Sequence, residues 1–445
     1  MSEPMIHTRR DFIARGLTLL SGAATVPAFI DATASSLFAA EPGSVRGKKP
    51  ARRDDQRILV VVQLAGGNDG LNTVIPYTND AYYRARPRIA IAKQDALKLT
   101  DKLGLHPAAT GMKQLFDDGL LSIVQGVGYP NPDRSHFVAT DIWSTASPNG
   151  QHHDGWIGRY FDCTCSGKDP CDPRLGIALT TEAPLALQGR RFSPVSFDQP
   201  DQLSWRGPDG SRAGQEAFEA LNEAVEIPKG ADRLTEAGAL AFLQRTAMDA
   251  RASARQIQQA AGGGSGRAAR LGRSPVGGKV RRNGGQLGQQ LAMVHRMIAA
   301  DLPTRVYYVS LGGFDTHAGQ LGRHQQLMTQ LGDALAEFVQ SLKADGLLDR
   351  VLIMTFSEFG RRVAENASQG TDHGAAAPLF VVGSGVQPGL VGQHPSLDAN
   401  KLDRGDVKWQ IDFRAVYATV LQHWLGANAR QILGGTFAPI KLLKK

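Results

Sequence analysis

Carboxylate and imidazole side chains follow several apolar runs of strand length in this 445-residue chain. They are Asp69, Asp315, His317, Glu358, Asp372 and His373. Because open α/β sheets place their sites at the carboxyl ends of the strands, the pattern predicts one shared site. Carboxylates and imidazoles without cysteine suit zinc or manganese. One or two such ions would polarise a phosphoryl or sulfuryl oxygen and would lower the pKa of a bound hydroxyl.

Each of these residues also has an ordinary structural interpretation. Asp69 could cap a turn, and Glu358 could pair with Arg361 or Arg362. The metal hypothesis depends on the group as a whole, because its members follow apolar strands and stand among glycines.

The strands that must position these residues are short, apolar and rich in β-branched residues. Residues 58–64 predict the first buried parallel strand, which ends in a Gly-rich loop containing Asn68 and Asp69. That loop lacks the Gly-Lys-Ser/Thr of a phosphate loop and the Gly-x-Gly-x-x-Gly of a dinucleotide site. Further strands are expected at 120–127, 305–311, 351–356 and 378–382.

Helical periodicity separates many of these strands. Helices are expected at 107–119, 236–260, 286–300 and 412–426, and a long apolar stripe follows His317. His324 lies on that stripe, so it is expected in the core rather than in a metal site. The alternation predicts an α/β fold with a mostly parallel central sheet and helices on both faces.

Ser135 follows a loop with two prolines and is expected at or beside the start of a helix. Free backbone amides and the positive end of the helix dipole favour an anion there. The plain alternative is that Ser135 only caps the helix.

The N-terminus predicts export. Arg9 and Arg10 precede a short apolar segment rich in Gly and Ala, which is typical of a twin-arginine signal rather than a membrane anchor. We therefore expect a signal peptide at 1–40, a basic linker at 41–57 and one domain at 58–445 with a mobile Gly/Arg-rich insertion at 262–285. The expected partner is the twin-arginine translocase, the expected location is periplasmic or secreted, and no membrane span is expected.

The net charge and the cysteines say less about function than these motifs do. The net charge of +8 comes mainly from basic clusters at 46–57 and 267–282, which indicate solvated loops because no nucleic-acid module surrounds them. Cys163, Cys165 and Cys171 allow a Cys165–Cys171 or a Cys163–Cys171 disulfide in an oxidising compartment. A zinc site completed by His152 or His153 is the alternative.

Several blocks together resemble a known family. They are QLAGGNDGLN, GVGYPNPDRSHF, VSLGGFDTHAGQ, FSEFGRR, GTDHGAAAPLFVVG and DFRAVYATVLQHWLG. They resemble the twin-arginine-exported bacterial proteins called domain of unknown function 1501, across most of the chain after the signal. That family is grouped with the alkaline phosphatase, sulfatase and cofactor-independent phosphoglycerate mutase superfamily, so an alkaline phosphatase/sulfatase-like fold is implied.

The resemblance also implies roles. Asp69 matches the first metal-binding aspartate, Ser135 the nucleophile, and His373 the last histidine ligand. Asp315 and His317 match an aspartate–histidine pair, although the superfamily usually spaces that pair by three residues. Phe359 stands where the superfamily has a histidine, and a phenyl ring cannot bind a metal. A second ion would therefore need Asp372, His136 or His324 as a replacement ligand.

The resulting hypothesis is an exported metal-dependent hydrolase of a phosphate or sulfate ester. Ser135 would attack the ester, and His136 is a second catalytic candidate. Asn68, Arg361 and Arg362 are the candidates for substrate binding. The first alternative is a non-catalytic exported binding or assembly protein with a degenerate metal site. A weaker one, resting on Trp143, Trp156 and the cysteines, is a disulfide-stabilised carbohydrate-binding protein.

Overall fold

The computed structural model describes residues 57–165, 171–203, 253–262 and 284–444. The predicted signal peptide, nearly all of the basic linker and most of the 262–285 insertion lie outside the described residues. So does most of the helix predicted at 236–260, of which 253–260 is described and is helical.

A large mixed sheet forms the centre of the molecule. The strands of the described residues are β1 Ile58–Ala65, β2 Val74–Ile75, β3 Leu97–Lys98, β4 Gly104–Leu105, β5 Leu121–Gly128, β6 Gly176–Ala178, β7 Val195–Ser196, β8 Val306–Gly312, β9 Val351–Phe356, β10 Ala377–Val382, β11 Gly389–Val391 and β12 Ile411–Asp412. The central order is β11-β5-β10-β9-β1-β8-β6-β7, and β12 also pairs with β5. Strands β2, β4 and β3 form a separate antiparallel sheet.

Most pairings in the central sheet are parallel, as predicted. Strand β1 runs parallel to both β8 and β9, so Val60 lies between Tyr307 and Ile353. Among the described strands of this central sheet, β10 alone runs antiparallel to its neighbours, which are β5 and β9. The carboxyl ends of β8, β1 and β9 therefore meet at one edge, where Asp315, Asp69 and Glu358 follow them.

Helices cover both faces of this sheet. They are α1 Gly70–Thr73, α2 Asp80–Ala85, α3 Thr110–Asp117, α4 His136–Thr145, α5 Trp156–Thr164, α6 Gly285–Ala299, α7 Gln320–Ala344, α8 Phe413–Thr419 and α9 Ala429–Leu433, and a π-helical turn at Val420–Trp424 extends α8. Because successive strand side chains point to opposite faces, Val60 and Val62 pack in the core with α3, α6 and α7. Leu59 and Val61 pack in the core with α5 and α8.

Several smaller expectations can also be compared with the structure. His324 is buried on α7, as predicted. Cys165 and Cys171 form a disulfide, which leaves Cys163 as a thiol and takes two sulfurs away from the alternative zinc site. Within the described residues, no helix combines the length and the apolar character that a membrane crossing needs.

Candidate metal centre

Three imidazole rings and one carboxylate converge at the carboxyl edge of the sheet. The Nε2 atoms of His317 and His373 lie 3.1 and 3.2 Å from Asp315 Oδ1, and 3.0 Å from each other. His136 Nε2, from the first residue of α4, lies 3.6 Å from the same oxygen. The ligand atoms of His136, Asp315 and His373 all lie within 4.8 Å of one another, which is close enough to hold one ion.

The opposite nitrogen of each ring faces an acceptor. His373 Nδ1 lies 2.8 Å from the carbonyl oxygen of Arg134, which can only accept a hydrogen bond. His136 Nδ1 lies 2.8 Å from Glu358 Oε1, and His317 Nδ1 lies 3.3 Å from Asp372 Oδ1. The Nε2 atoms of the three rings therefore face one another and Asp315, while oxygen acceptors hold the Nδ1 side of each ring. Donors arranged in this way fit a cation, and metal-binding histidines characteristically hold their second nitrogen like this.

Asp315 is held from behind by Arg361. The buried guanidinium donates to Asp315 Oδ1 at 2.7 Å and to the carbonyl oxygens of Gly66, Gly67, Phe314 and Thr371. Burial raises the pKa of Asp315, but hydrogen bonds from Arg361 and His373 outweigh it and lower this pKa to about 2. The structure thus places Arg361, a predicted substrate contact, in the protein interior, where it joins the loops around the site.

Asp69 lies outside the imidazole cluster. Its Oδ2 lies 2.6 Å from Arg86 Nη1, with both side chains fully buried, and it accepts a bond from Gln320 Nε2. Its Oδ1 caps α1 by accepting from the amides of Leu71 and Asn72. Burial raises the pKa of Asp69, but the charge and hydrogen bond of Arg86 outweigh it and lower the pKa overall. The structural interpretation, a turn cap, is the role that these contacts show.

Glu358 and Asp372 lie one step behind the rings. Glu358 is buried and accepts from Gly66 N at 2.8 Å, and its carboxylate faces His136 rather than Arg361 or Arg362. Asp372 accepts a hydrogen bond from Asn366 Nδ2 at 3.0 Å, and this bond lowers the pKa of Asp372. His317 lowers this pKa further, whereas burial raises it. Both carboxylates therefore orient imidazoles.

Phe359 packs against the cluster as an apolar surface. Its ring centroid lies 4.9 Å from that of His136 and 4.6 Å from that of His373, and the side chain is buried. Gly67 approaches it so closely, at φ +81°, that a Cβ there would lie 2.4 Å from the ring. The position that a second histidine ligand would take is thus filled by a hydrocarbon ring.

The remaining predicted residues differ in access. Ser135 is exposed at the N-cap of α4, a helix described in full, and its hydroxyl makes no capping bond there. Asn68 is fully buried, and its side-chain oxygen accepts from Thr73 Oγ1 at 2.9 Å. Arg362 is partly exposed and lies 3.5 Å from buried Asp406, which also pairs with Arg134. Two guanidinium groups thus share the carboxylate of Asp406, and one of them belongs to Arg134, whose carbonyl oxygen faces His373 Nδ1.

Sequence reasoning missed four of the residues that build this site. They are Arg86, Arg134, Gln320 and Asp406. Arg134 and Gln320 stand beside predicted site residues in PDRSHF and DTHAGQ, so their neighbours were the available signal. Arg86 stands in the arginine-rich run YYRARPR, where nothing marks one arginine as the partner of Asp69.

The chain is similar to one protein family along most of its length. The model of the family described as "Protein of unknown function (DUF1501)" matches residues 56–438. No curated protein matched the chain.

Solved structures with a similar arrangement include a sulfatase, a synthase and a monoester hydrolase. The PsFucS1 sulfatase from Pseudoalteromonas sp. matches at 9% identity and TM-score 0.38, over 87% of this chain and 71% of that one. The lipoteichoic acid synthase LtaP from Listeria monocytogenes matches at 11% identity and TM-score 0.32, over 86% of this chain and 75% of that one. The phosphonate monoester hydrolase SpPMH from Silicibacter pomeroyi matches at 12% identity and TM-score 0.30, over 86% of this chain and 77% of that one. At these identities and TM-scores the likeness assigns neither a reaction nor a substrate to this chain.

Proposed function

We propose that this chain, which belongs to the DUF1501 family of proteins of unknown function, is a metal-dependent hydrolase of a phosphate or sulfate ester. One observation carries the proposal. The Nε2 atoms of three histidines converge on Asp315 Oδ1 while each Nδ1 faces an oxygen acceptor.

The donor set favours one ion, and zinc over manganese. His136, His317, His373 and Asp315 would hold it, and imidazole-rich sets suit zinc, whereas manganese prefers more oxygen ligands. When bound, such an ion polarises an ester oxygen and stabilises an oxyanion. A second ion is not supported, because Asp69 is neutralised by Arg86 and Phe359 offers no lone pair.

Ser135 is the proposed nucleophile. Its exposed hydroxyl is next to His136 in the chain, at the start of the ten-residue helix α4, where backbone amides favour an anion. Ser135 Oγ would bond to phosphorus or sulfur as the ester oxygen leaves as an alcohol, and water would then release the inorganic anion. Arg134 and Arg362, with side chains 36% and 37% exposed, supply positive charge for the anion.

The experiment is a panel of aryl phosphates and aryl sulfates on the metal-loaded protein. We expect turnover of one class, its loss in Ser135→Ala, and unchanged metal binding in that variant. Ser147→Ala is the control, because Ser147 is a buried serine beyond the C-terminal end of α4 and outside the cluster. A rate in Ser135→Ala equal to that of the unmodified protein would remove Ser135 as nucleophile.

A non-catalytic metal-holding protein is the second candidate. The observation in its favour is that Asp69, the first expected ligand, is bound to Arg86 instead. Bound metal without turnover of any ester in the panel would support this candidate over the hydrolase.

We also propose that the chain is exported by the twin-arginine translocase as a single domain, residues 58–445, after removal of residues 1–40. The support is the Arg9-Arg10 pair before a short apolar segment. Replacing both arginines by lysine should leave the protein in the cytoplasm, while replacing Arg52 and Arg53 of the basic linker should not. Export that survives the Arg9/Arg10 change would contradict the pathway.

A further inference from the structure

We propose that Gln320 is a positioning residue that fixes the two metal-ligand loops against each other, an inference that rests on the proposed metal site. Gln320 is the first residue of α7 and is fully buried. One loop carries Asp315 and His317, and the other carries His373. Thr316 and Thr371 lie between the side chain of Gln320 and these ligands.

Gln320 bonds both loops at once. Its Oε1 accepts from Thr316 Oγ1 at 3.0 Å and from Thr371 Oγ1 at 2.7 Å. Thr316 stands between Asp315 and His317, and Thr371 precedes Asp372 and His373. The threonine backbones are also paired, with Thr371 N donating to Thr316 O at 3.1 Å. One amide oxygen thus sets the spacing of loops that are separated by more than fifty residues in the chain.

The other end of the amide is anchored. Gln320 Nε2 donates to Asp69 Oδ2, which is held by Arg86 and by the cap of α1. Because this anchor is buried and ionic, the amide cannot rotate without leaving polar groups unpaired in the interior. Asp69 therefore contributes to the metal site from a distance, through Gln320, rather than as a ligand.

Gln320 also helps to start α7, since its backbone amide donates to Gln369 O at 2.9 Å. A side-chain substitution separates the two roles. Gln320→Met keeps the backbone bond and much of the volume but removes both side-chain functions. Gln290→Met is the matched control, because Gln290 is also a buried helical glutamine, donating its Nε2 to Leu179 O at 2.8 Å.

The experiment measures zinc affinity by chelator competition and the visible spectrum of the cobalt(II)-substituted protein. We expect Gln320→Met to weaken zinc binding by roughly 10- to 100-fold, the range for residues that orient metal ligands, and to change the cobalt spectrum. Gln290→Met should change neither. Thr371→Val should weaken zinc binding in the same direction, and the double variant should lose less than the two single losses combined.

Amide hydrogen exchange in metal-free protein separates this inference from the proposed function. Faster exchange at Thr371 and Gly374 in Gln320→Met, but not in Gln290→Met, supports the positioning role even if the unmodified protein binds no metal and the hydrolase proposal fails. Unchanged exchange there, or zinc affinity equal to that of the unmodified protein where zinc binds, overturns the role of Gln320.

Discussion

At the scale of single residues, the partners of the Nδ1 atoms matter more than the number of histidines. A cluster of histidines can be a chance surface feature, and here His136 and His373 are partly buried while His317 is exposed. Here a carbonyl oxygen and two carboxylates occupy the far side of the rings. That arrangement aims the three Nε2 atoms at Asp315, which favours a metal ion at the centre.

Removing one ring tests this directly. His373→Ala should weaken zinc binding by more than about 100-fold, because it removes a ligand rather than a group that only orients one. Isothermal titration measures the change. His423→Ala is the control, since His423 is exposed near the start of β1, at the opposite end of that strand from the site. Equal affinities in the two variants would count against His373 as a ligand.

The residue scale also shows what sequence reasoning can find. Asp315, His317 and His373 were predicted together because each follows a strand that ends at the same edge, and the structure brings these three together. His136, expected as a catalytic residue and as a possible replacement ligand, points its Nε2 at Asp315. The pairing of Asp69 with Arg86 depends on how a loop folds back, which no local pattern encodes.

At the scale of elements, the buried ion pair joins the loop after β1 to the end of α2. Arg86 also donates to the carbonyl oxygens of Val363 and Arg362, so it connects three segments. Such a pair need not stabilise the fold more than apolar residues would, but removing one partner leaves the other charge buried and unpaired.

Arg86→Met should therefore lower the free energy of unfolding by about 3–5 kcal/mol, the range for removing one partner of a buried pair. It should also reduce zinc affinity, because Gln320 depends on Asp69. Arg84→Met on the exposed side of the same helix should be near neutral. Urea denaturation of both variants measures the difference, and equal midpoints would contradict a structural role for the pair.

Elements were predicted better than their contacts. The strand expected at 351–356 is observed as Val351–Phe356, and the long stripe after His317 forms the 25-residue helix α7. Periodicity and β-branched runs encode these locally. The antiparallel direction of β10 could not be predicted, because direction depends on the connection between strands and an apolar run looks the same either way.

At the scale of the whole molecule, two buried imidazoles make the fold sensitive to acid. Burial lowers the pKa of His324 to about 4 and that of His106 to about 3, and repulsion from His324 adds to the shift of His106. At His324, the charge of Asp69 raises the pKa, whereas the charges of Arg86 and Arg361 lower it further. Below the usual histidine pKa of about 6.5, the unfolded chain binds protons that the folded chain does not. The free energy of unfolding therefore decreases as the pH is lowered.

We expect the free energy of unfolding to be constant with respect to these groups above about pH 6.5 and to fall toward pH 4. Urea denaturation in the presence of a chelator removes the contribution of bound metal. His324→Gln should show a shallower slope across this window, and His423→Ala should keep the slope of the unmodified protein. A slope that does not change in His324→Gln would contradict the assignment.

We expect one divalent ion, held by His136, Asp315, His317 and His373. Elemental analysis of the folded protein after zinc loading and gel filtration tests this most directly. About one zinc per chain is expected, and substantially less in His373→Ala. No retained divalent metal, or two ions per chain, would contradict it.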